Sequence, residues 1–226
     1  MKTSMRPVMV LAGVMMAFGI GACQAETEAN GEAADTTAAA ATADAAGAAD
    51  ASQPSSADYP CWTQSTPDEL AERASPLDSA SVALDAGLVK VCYGRPQMRG
   101  REIMGALVPF DQPWRTGANE ATSIHMPAGG TIGGVAVEPG WYSLYTIPGA
   151  DAWDVVVNGE RERWGIPISE EVRAQDVGSS AVEAEVSDGA PVEALTISLE
   201  RTSGSSADLV IEWETTRVSL PVVIGG

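Results

Sequence analysis

The chain has 226 residues, with 13 Lys and Arg against 31 Asp and Glu, one His and three Cys, for a formal net charge of −18. Such a surface repels polyphosphates and anionic lipid headgroups, which argues against nucleic acid as a partner. A lone histidine, His125, excludes a histidine-rich zinc or copper centre. No G-x-G-x-x-G, P-loop, D-x-D-x-D-G or G-x-S-x-G pattern stands in the chain, so neither a cofactor nor a metal is expected.

In chain order, Lys2 and Arg6 precede an unbroken apolar run, "VMVLAGVMMAFGI", at residues 8–20. The run is short for a membrane span and suits the core of a signal peptide. It ends in "IGAC", which resembles a bacterial lipobox. The resemblance implies cleavage before Cys23, a diacylglycerol on its thiol and an acylated new amino terminus, so that several acyl chains anchor the protein to a membrane. Gln24, rather than Asp, after the cysteine resembles outer-membrane sorting with the domain facing the periplasm. Removing residues 1–22 takes Lys2 and Arg6 away and leaves 11 basic against 31 acidic residues. Residues 24–56 are Ala-rich, with six acids and no base. With no apolar stripe to bury, they are expected to form a disordered tether with a reach of about 30 Å. The expected domains are therefore a leader at 1–22, a lipidated cysteine and tether at 23–58, and a folded domain at 59–226.

With Cys23 assigned to the lipid, Cys61 and Cys92 remain as an even pair. Outside the cytoplasm they are expected to form a disulfide rather than two buried thiols, stabilising the fold by about 3–4 kcal/mol on the chain-entropy model. "TPDELAERA" predicts one short helix, with Thr66 as N-cap, Pro67 at its first position and Glu69 closing a capping box. The period then changes to two. "SASVALDAGLVKVCYG" predicts two strands around Asp85 and Gly87. "ATSIHMP", "TIGGVAVEPG", "WYSLYTIPG" and "AWDVVVNG" follow, the last closing on an Asn158-Gly159 hairpin or turn signal. His125 is expected to be an exposed strand histidine. In "SAVEAEVSDG", Val182, Ala184 and Val186 share a face. Leu195, Ile197 and Leu199 do so in "VEALTISLE", as do Leu209, Ile211 and Trp213 in "ADLVIEWE", and a last strand runs over residues 217–224. About ten short half-buried strands predict an all-β, single antiparallel sandwich, jelly-roll-like or barrel-like, with one N-terminal helix.

Residues 92–122, "CYGRPQMRGREIMGALVPFDQPWRTGANEAT", follow neither period. Within it, Arg95, Arg99, Arg101 and Arg115 crowd residues 95–115 against Glu102 and Asp111 as the local acids. The motifs "YGRPQMRGREIMGALVPF", "WRTGANEAT", "PGWYSLYTIPG" and "RWG" at residues 163–165 resemble the bacterial domain-of-unknown-function family 2911, over residues 75–222. The resemblance agrees with a secreted or lipid-anchored protein and implies no particular reaction.

Two readings of the arginine cluster stand side by side. In the structural one, Arg115 pairs with Glu120, Gly117 takes a positive φ, Asn119 caps its own backbone and Trp114 anchors the loop. In the functional one, Arg95, Arg99 and Arg115 converge on an anionic ligand such as an acidic sugar or an envelope glycan fragment. Trp114, Tyr145 and Trp164 would then stack on it, and Asn119 and Glu120 would bind its hydroxyls. The chain reads as a lipid-anchored, non-catalytic binding or accessory module. The alternatives are a glycan hydrolase using Glu120 with Arg115, Glu102 and Asp111 being the other nearby carboxylates, or a purely structural assembly lipoprotein.

Overall fold

The computed structural model describes residues 54–225. The expected leader, Cys23 with its lipid, and the tether as far as residue 53 lie outside the described residues. A 3-10 turn at Ser56–Asp58 and helix α1, Pro67–Ala71, open the described chain. Thr66 and Glu69 form the expected capping box: the Thr66 hydroxyl accepts from the Glu69 amide (3.4 Å), and the Glu69 carboxylate accepts from the Thr66 amide (2.8 Å).

The strands are β1 Leu77–Leu84, β2 Gly87–Gly94, β3 Thr122–Met126, β4 Gly130–Ile132, β5 Val135–Val137, β6 Gly140–Pro148, β7 Ala152–Asn158, β8 Asp176–Val186, β9 Val192–Arg201, β10 Ser206–Glu214 and β11 Thr216–Ile224. A second helix, α2, covers Glu170–Arg173. All pairings between the strands are antiparallel, in the order β1-β2-β3-β6-β7-β8-β11-β10-β9, and the β4–β5 hairpin docks on β11. The sheet folds over because β8 pairs with β7 as far as Glu183 and then crosses to β11 at Ala184. Its two edges nearly meet. Just beyond β2, the Met98 amide donates to Glu193 O (2.8 Å), and the Leu195 amide at the start of β9 donates to Pro96 O (2.9 Å). The result is the expected all-β sandwich, close to a closed barrel.

Alternation produced this shape. In β10 the inward Leu209, Ile211 and Trp213 are buried while Glu212 and Glu214 alternate with them and are only partly buried, and β9 turns Leu195 and Ile197 into the same core. Each such side chain removed from water contributes about 1.5–3 kcal/mol, and a one-residue slip would turn all of them outward. Three local expectations change. "TIGGVAVEPG" is a tight hairpin, β4 and β5, turning at Gly133 (φ 57°) and Gly134 (φ 85°). Asn158 ends β7 but opens no hairpin, since residues 159–175, with α2, intervene before β8. Val186 is exposed at the tip of β8 instead of facing the core.

The other face of β2, β3, β6 and β7 carries a buried polar layer, including Lys90, His125, Ser143 and Asn158. His125 is thus not the exposed residue expected. Only 8% of it is accessible, because Tyr59 packs on its ring (centroids 4.0 Å apart) with Trp141 on its other flank (5.1 Å). Its Nδ1 lies 3.1 Å from Leu88 O, and burial lowers its pKa. The segment bearing Tyr59 is fastened to this face twice more. The Cys61–Cys92 disulfide forms as expected, and the Lys90 ammonium donates to Ser56 O (2.8 Å).

Candidate functional site

Residues 95–121 run irregularly from β2 to β3, and distant groups hold their backbone. The Glu214 carboxylate accepts from the Ile103 and Met104 amides (3.3 and 3.1 Å). Trp114 and Thr146 exchange backbone hydrogen bonds (2.7 and 2.8 Å), tying the segment to β6. The Trp114 ring stacks on Trp213 (5.9 Å, 18° between planes) and meets Trp153 edge-on. An aromatic pair in either geometry adds about 0.5–1.5 kcal/mol to the burial itself. The loop lies flat on the end of β2: a side chain at Gly94 would run into the Ala118 carbonyl, and one at Gly117 would come within 3.1 Å of Gly94 O. Gly117 is therefore needed for close approach and not for the positive φ expected of it. The left-handed residues beside it are Thr116 (φ 55°) and Asn119 (φ 65°). Thr116 is a β-branched residue in that region, a strained conformation held by its hydroxyl hydrogen bond to Thr146 (3.1 Å).

Glu120 does not pair with Arg115. Its partner is Arg73, just after α1, whose Nη1 and Nη2 donate to Oε2 and Oε1 (2.7 Å each). The Thr63 hydroxyl (2.8 Å) and the Gln64 amide (3.2 Å) also donate to Oε1. The side chains of Arg73 and Glu120 are only 10% and 4% exposed. Burial alone would raise the Glu120 carboxyl; the Arg73 fork, Thr63 and the backbone amides of Glu120 and Gln64 outweigh it and hold the group at about 2. A carboxylate so depressed and so fully occupied suits a lock and not a general acid, which needs a raised pKa.

Arg115 is the opposite case. Its Nε donates to Gly117 O (3.2 Å), and among the described residues no carboxylate pairs with its guanidinium. Half-buried, it has its pKa lowered by desolvation alone. Gly165 lets it lie where it does, since a Cβ there would run into Arg115 Cδ and come within 2.9 Å of Asn119 O. Arg115 lines a cavity of about 300 Å³ with Arg101, Ser75, Trp114, Leu107 and Ile166, and Trp213, Val108 and two prolines complete its apolar wall. The lining contains no acid.

The other expected ligand residues do not reach this cavity. Arg95 lies 3.4 Å from Asp78, in a half-exposed pair that adds little stability. Arg99 is exposed, with a left-handed backbone (φ 51°), and donates to Ala74 O (3.1 Å). Asn119 donates to Ser75 O (2.9 Å) and does not cap its own backbone. Tyr145 is buried and donates to Asp176 (2.7 Å); burial first, then that hydrogen bond and the Asp176 charge, push its hydroxyl up to about 12. Trp164 lies under the Arg73 guanidinium (5.9 Å), part of the lock. Glu102 and Asp111 are exposed.

Of the expected ligand residues the cavity thus brings together Trp114 and Arg115 alone. Arg101 belongs to the arginine cluster, and neither sequence reading gives it a role. It hooks back on Met98 O through Nε (2.8 Å) and on Gln97 O through Nη2 (2.7 Å), and it lines the cavity. Leu107 and Ile166 carry only the sequence signals of ordinary apolar positions, and Trp213 reads as a core residue of its strand, so nothing in the sequence points to them as cavity residues. Among the described residues no cluster of three or more His, Cys, Asp or Glu could hold a metal ion, and no helix is long and apolar enough to cross a membrane.

No curated protein and no solved structure matches the chain. Residues 75–222 match the model of the family described as "Protein of unknown function (DUF2911)", and the chain belongs to that family.

Proposed function

We propose that the folded domain is a non-catalytic binding module for a small anionic ligand, carried on a membrane by a lipid at Cys23 and working in the cell envelope, at an outer membrane facing the periplasm. One observation carries the binding half: the half-buried Arg115 guanidinium borders a cavity and has no carboxylate partner among the described residues. Such a charge stays unneutralised until an anion arrives, whereas the other well-buried carboxylate–arginine pairing of the segment is already satisfied within the chain. The envelope half rests on the "IGAC" site behind a short apolar run, and the Cys61–Cys92 disulfide supports an oxidising compartment. Hydrolysis through Glu120 lacks support, because Arg73 and Thr63 already occupy its carboxylate.

Isothermal titration of the folded domain with acetate, glucuronate, benzoate and inorganic phosphate tests the binding half. Saturable binding of at least one anion, lost in Arg115→Gln, is expected; no binding, or binding indifferent to that substitution, overturns it. Fractionation of cells expressing the full chain and Cys23→Ser tests the anchor. The wild type should sediment with membranes and the variant should not; equal partitioning removes the lipid from the proposal.

A further inference from the structure

The Arg115 cavity carries a narrower statement, which rests on the anion-binding reading above. We infer that its ligand is a monocarboxylate attached to a compact apolar body, and not a sugar acid or a phosphate.

Donor geometry comes first. The Arg115 Nε is committed to Gly117 O, which leaves the two terminal nitrogens as a parallel pair. That pair matches the two oxygens of one planar carboxylate. Arg101 has Nε and Nη2 tied to backbone carbonyls, so it adds charge near the site and little directional capacity. A phosphate dianion asks for more donors and more positive charge than this, inside a chain of net charge −18.

The walls decide the rest of the molecule. Beyond the arginines the lining side chains are mainly Trp, Leu, Val, Ile and Pro; Ser75 supplies the one side-chain hydroxyl, so the polar part of the surface comes chiefly from the two arginines and the backbone. A sugar ring would leave several hydroxyls without partners here, which is costly once water is excluded. Asn119 and Glu120, the residues suited to bind such hydroxyls, are turned to Ser75 O and to Arg73 instead. At about 30 Å³ per water-sized group, a cavity of about 300 Å³ holds roughly ten such groups. That is the size of an aryl or branched-alkyl carboxylate, or of the last residue of a peptide. Leu107 (45% exposed) and Ile166 (52%) extend the apolar surface outward at the mouth.

The test is titration calorimetry, with tryptophan fluorescence as a second signal, using 3-phenylpropionate, 3-phenylpropionamide, glucuronate and phenyl phosphate. The acid should bind and quench, and the amide should bind about tenfold more weakly or worse, the loss expected when a charge-assisted pair is removed. Glucuronate and phenyl phosphate should be weaker than 3-phenylpropionate. Arg115→Lys should lose about tenfold by losing the second parallel hydrogen bond. Leu107→Asp, at an exposed position that need not affect folding, should weaken the acid by repulsion. N-acetyl-Ala-Ala-Phe as acid and as amide separates the two sources: tighter binding than 3-phenylpropionate by the acid alone identifies a peptide C-terminus, and equal or weaker binding a free acid. If glucuronate or phenyl phosphate binds more tightly, in an Arg115-dependent way, the ligand class falls and the anion-binding reading stands. If the amide matches the acid, or nothing in this panel or the earlier one binds, both fall.

Discussion

Arg115 and Glu120 stand five positions apart in one loop and have opposite fates. The carboxylate meets a guanidinium fork, a hydroxyl and a backbone amide, all from residues 63–73. The guanidinium meets one backbone carbonyl and a cavity. The difference teaches that clustered charge in a loop need not mean mutual pairing. One member can fasten the chain while its neighbour remains chemically available, and only the arrival of a third segment decides which is which. Here that segment precedes β1 and lies outside the family match at residues 75–222.

The largest change comes from releasing that segment. Cys61 lies two residues before Thr63, so the Cys61–Cys92 bridge holds the donors of Glu120 against the sheet. Replacing both cysteines with serine should cost about 3–4 kcal/mol in denaturant unfolding. A cost near zero would mean that the remaining contacts hold the segment unaided. Glu120→Gln is expected to cost on the order of 3 kcal/mol, because it leaves the Arg73 charge buried without its partner. The same group gives the lock a pH dependence. Its carboxyl lies at about 2 in the folded protein against an ordinary 4.5, so the lock contributes fully above 4.5 and is lost as pH falls toward 2. His125, lowered by burial from an ordinary 6.5, acts in the same direction from a higher starting point: its contribution is complete above 6.5 and declines below it. Acid unfolding of the wild type should therefore begin below about 6.5 and steepen below about 4.5, and Glu120→Gln should flatten the steeper part, leaving the contributions of Glu69 and Glu171, which are also lowered. An unchanged profile in that variant would remove Glu120 from the account.

Gly165 joins the two regions, and Gly165→Ala perturbs both. The added methyl would collide with Arg115 Cδ and press on the Asn119 carbonyl, which accepts the Gly165 amide (2.8 Å). A cost of about 1–3 kcal/mol, typical of overpacking, should accompany weakened anion binding. Loss of stability with intact binding would show that Arg115 can move aside without consequence for the cavity.

How much of this was legible beforehand follows from how each part is held. The strands were readable because each carries its own period of two, and Leu209, Ile211 and Trp213 face the core as alternation requires. The capping box was readable because its parts lie three residues apart. Residues 95–121 have no period to read. The Ile103 and Met104 amides are satisfied by Glu214, more than a hundred residues away, and Glu120 is satisfied by Arg73, 47 residues earlier. Nothing local distinguishes Glu120 bound to Arg73 from Glu120 bound to Arg115. The burial of His125 is illegible for the same reason, since it depends on Tyr59 packing across from a segment with no strand pattern.

The smallest expected effect on stability discriminates best between the two regions. Arg115→Gln removes one hydrogen bond to a carbonyl, a loss of about 1 kcal/mol, and also removes a half-buried charge whose desolvation nothing in the described chain offsets. The two terms oppose each other, so the melting temperature should scarcely move, corresponding to a change within about 0.5 kcal/mol. The contrast with Glu120→Gln is the informative quantity. The two substitutions neutralise neighbouring charges in one loop, yet one breaks a completed network and the other empties a position that was incomplete. If Arg115→Gln destabilises the domain as much as Glu120→Gln does, Arg115 is a second fastening. If it leaves stability intact while anion binding disappears, the guanidinium is kept at the cavity for something other than the fold.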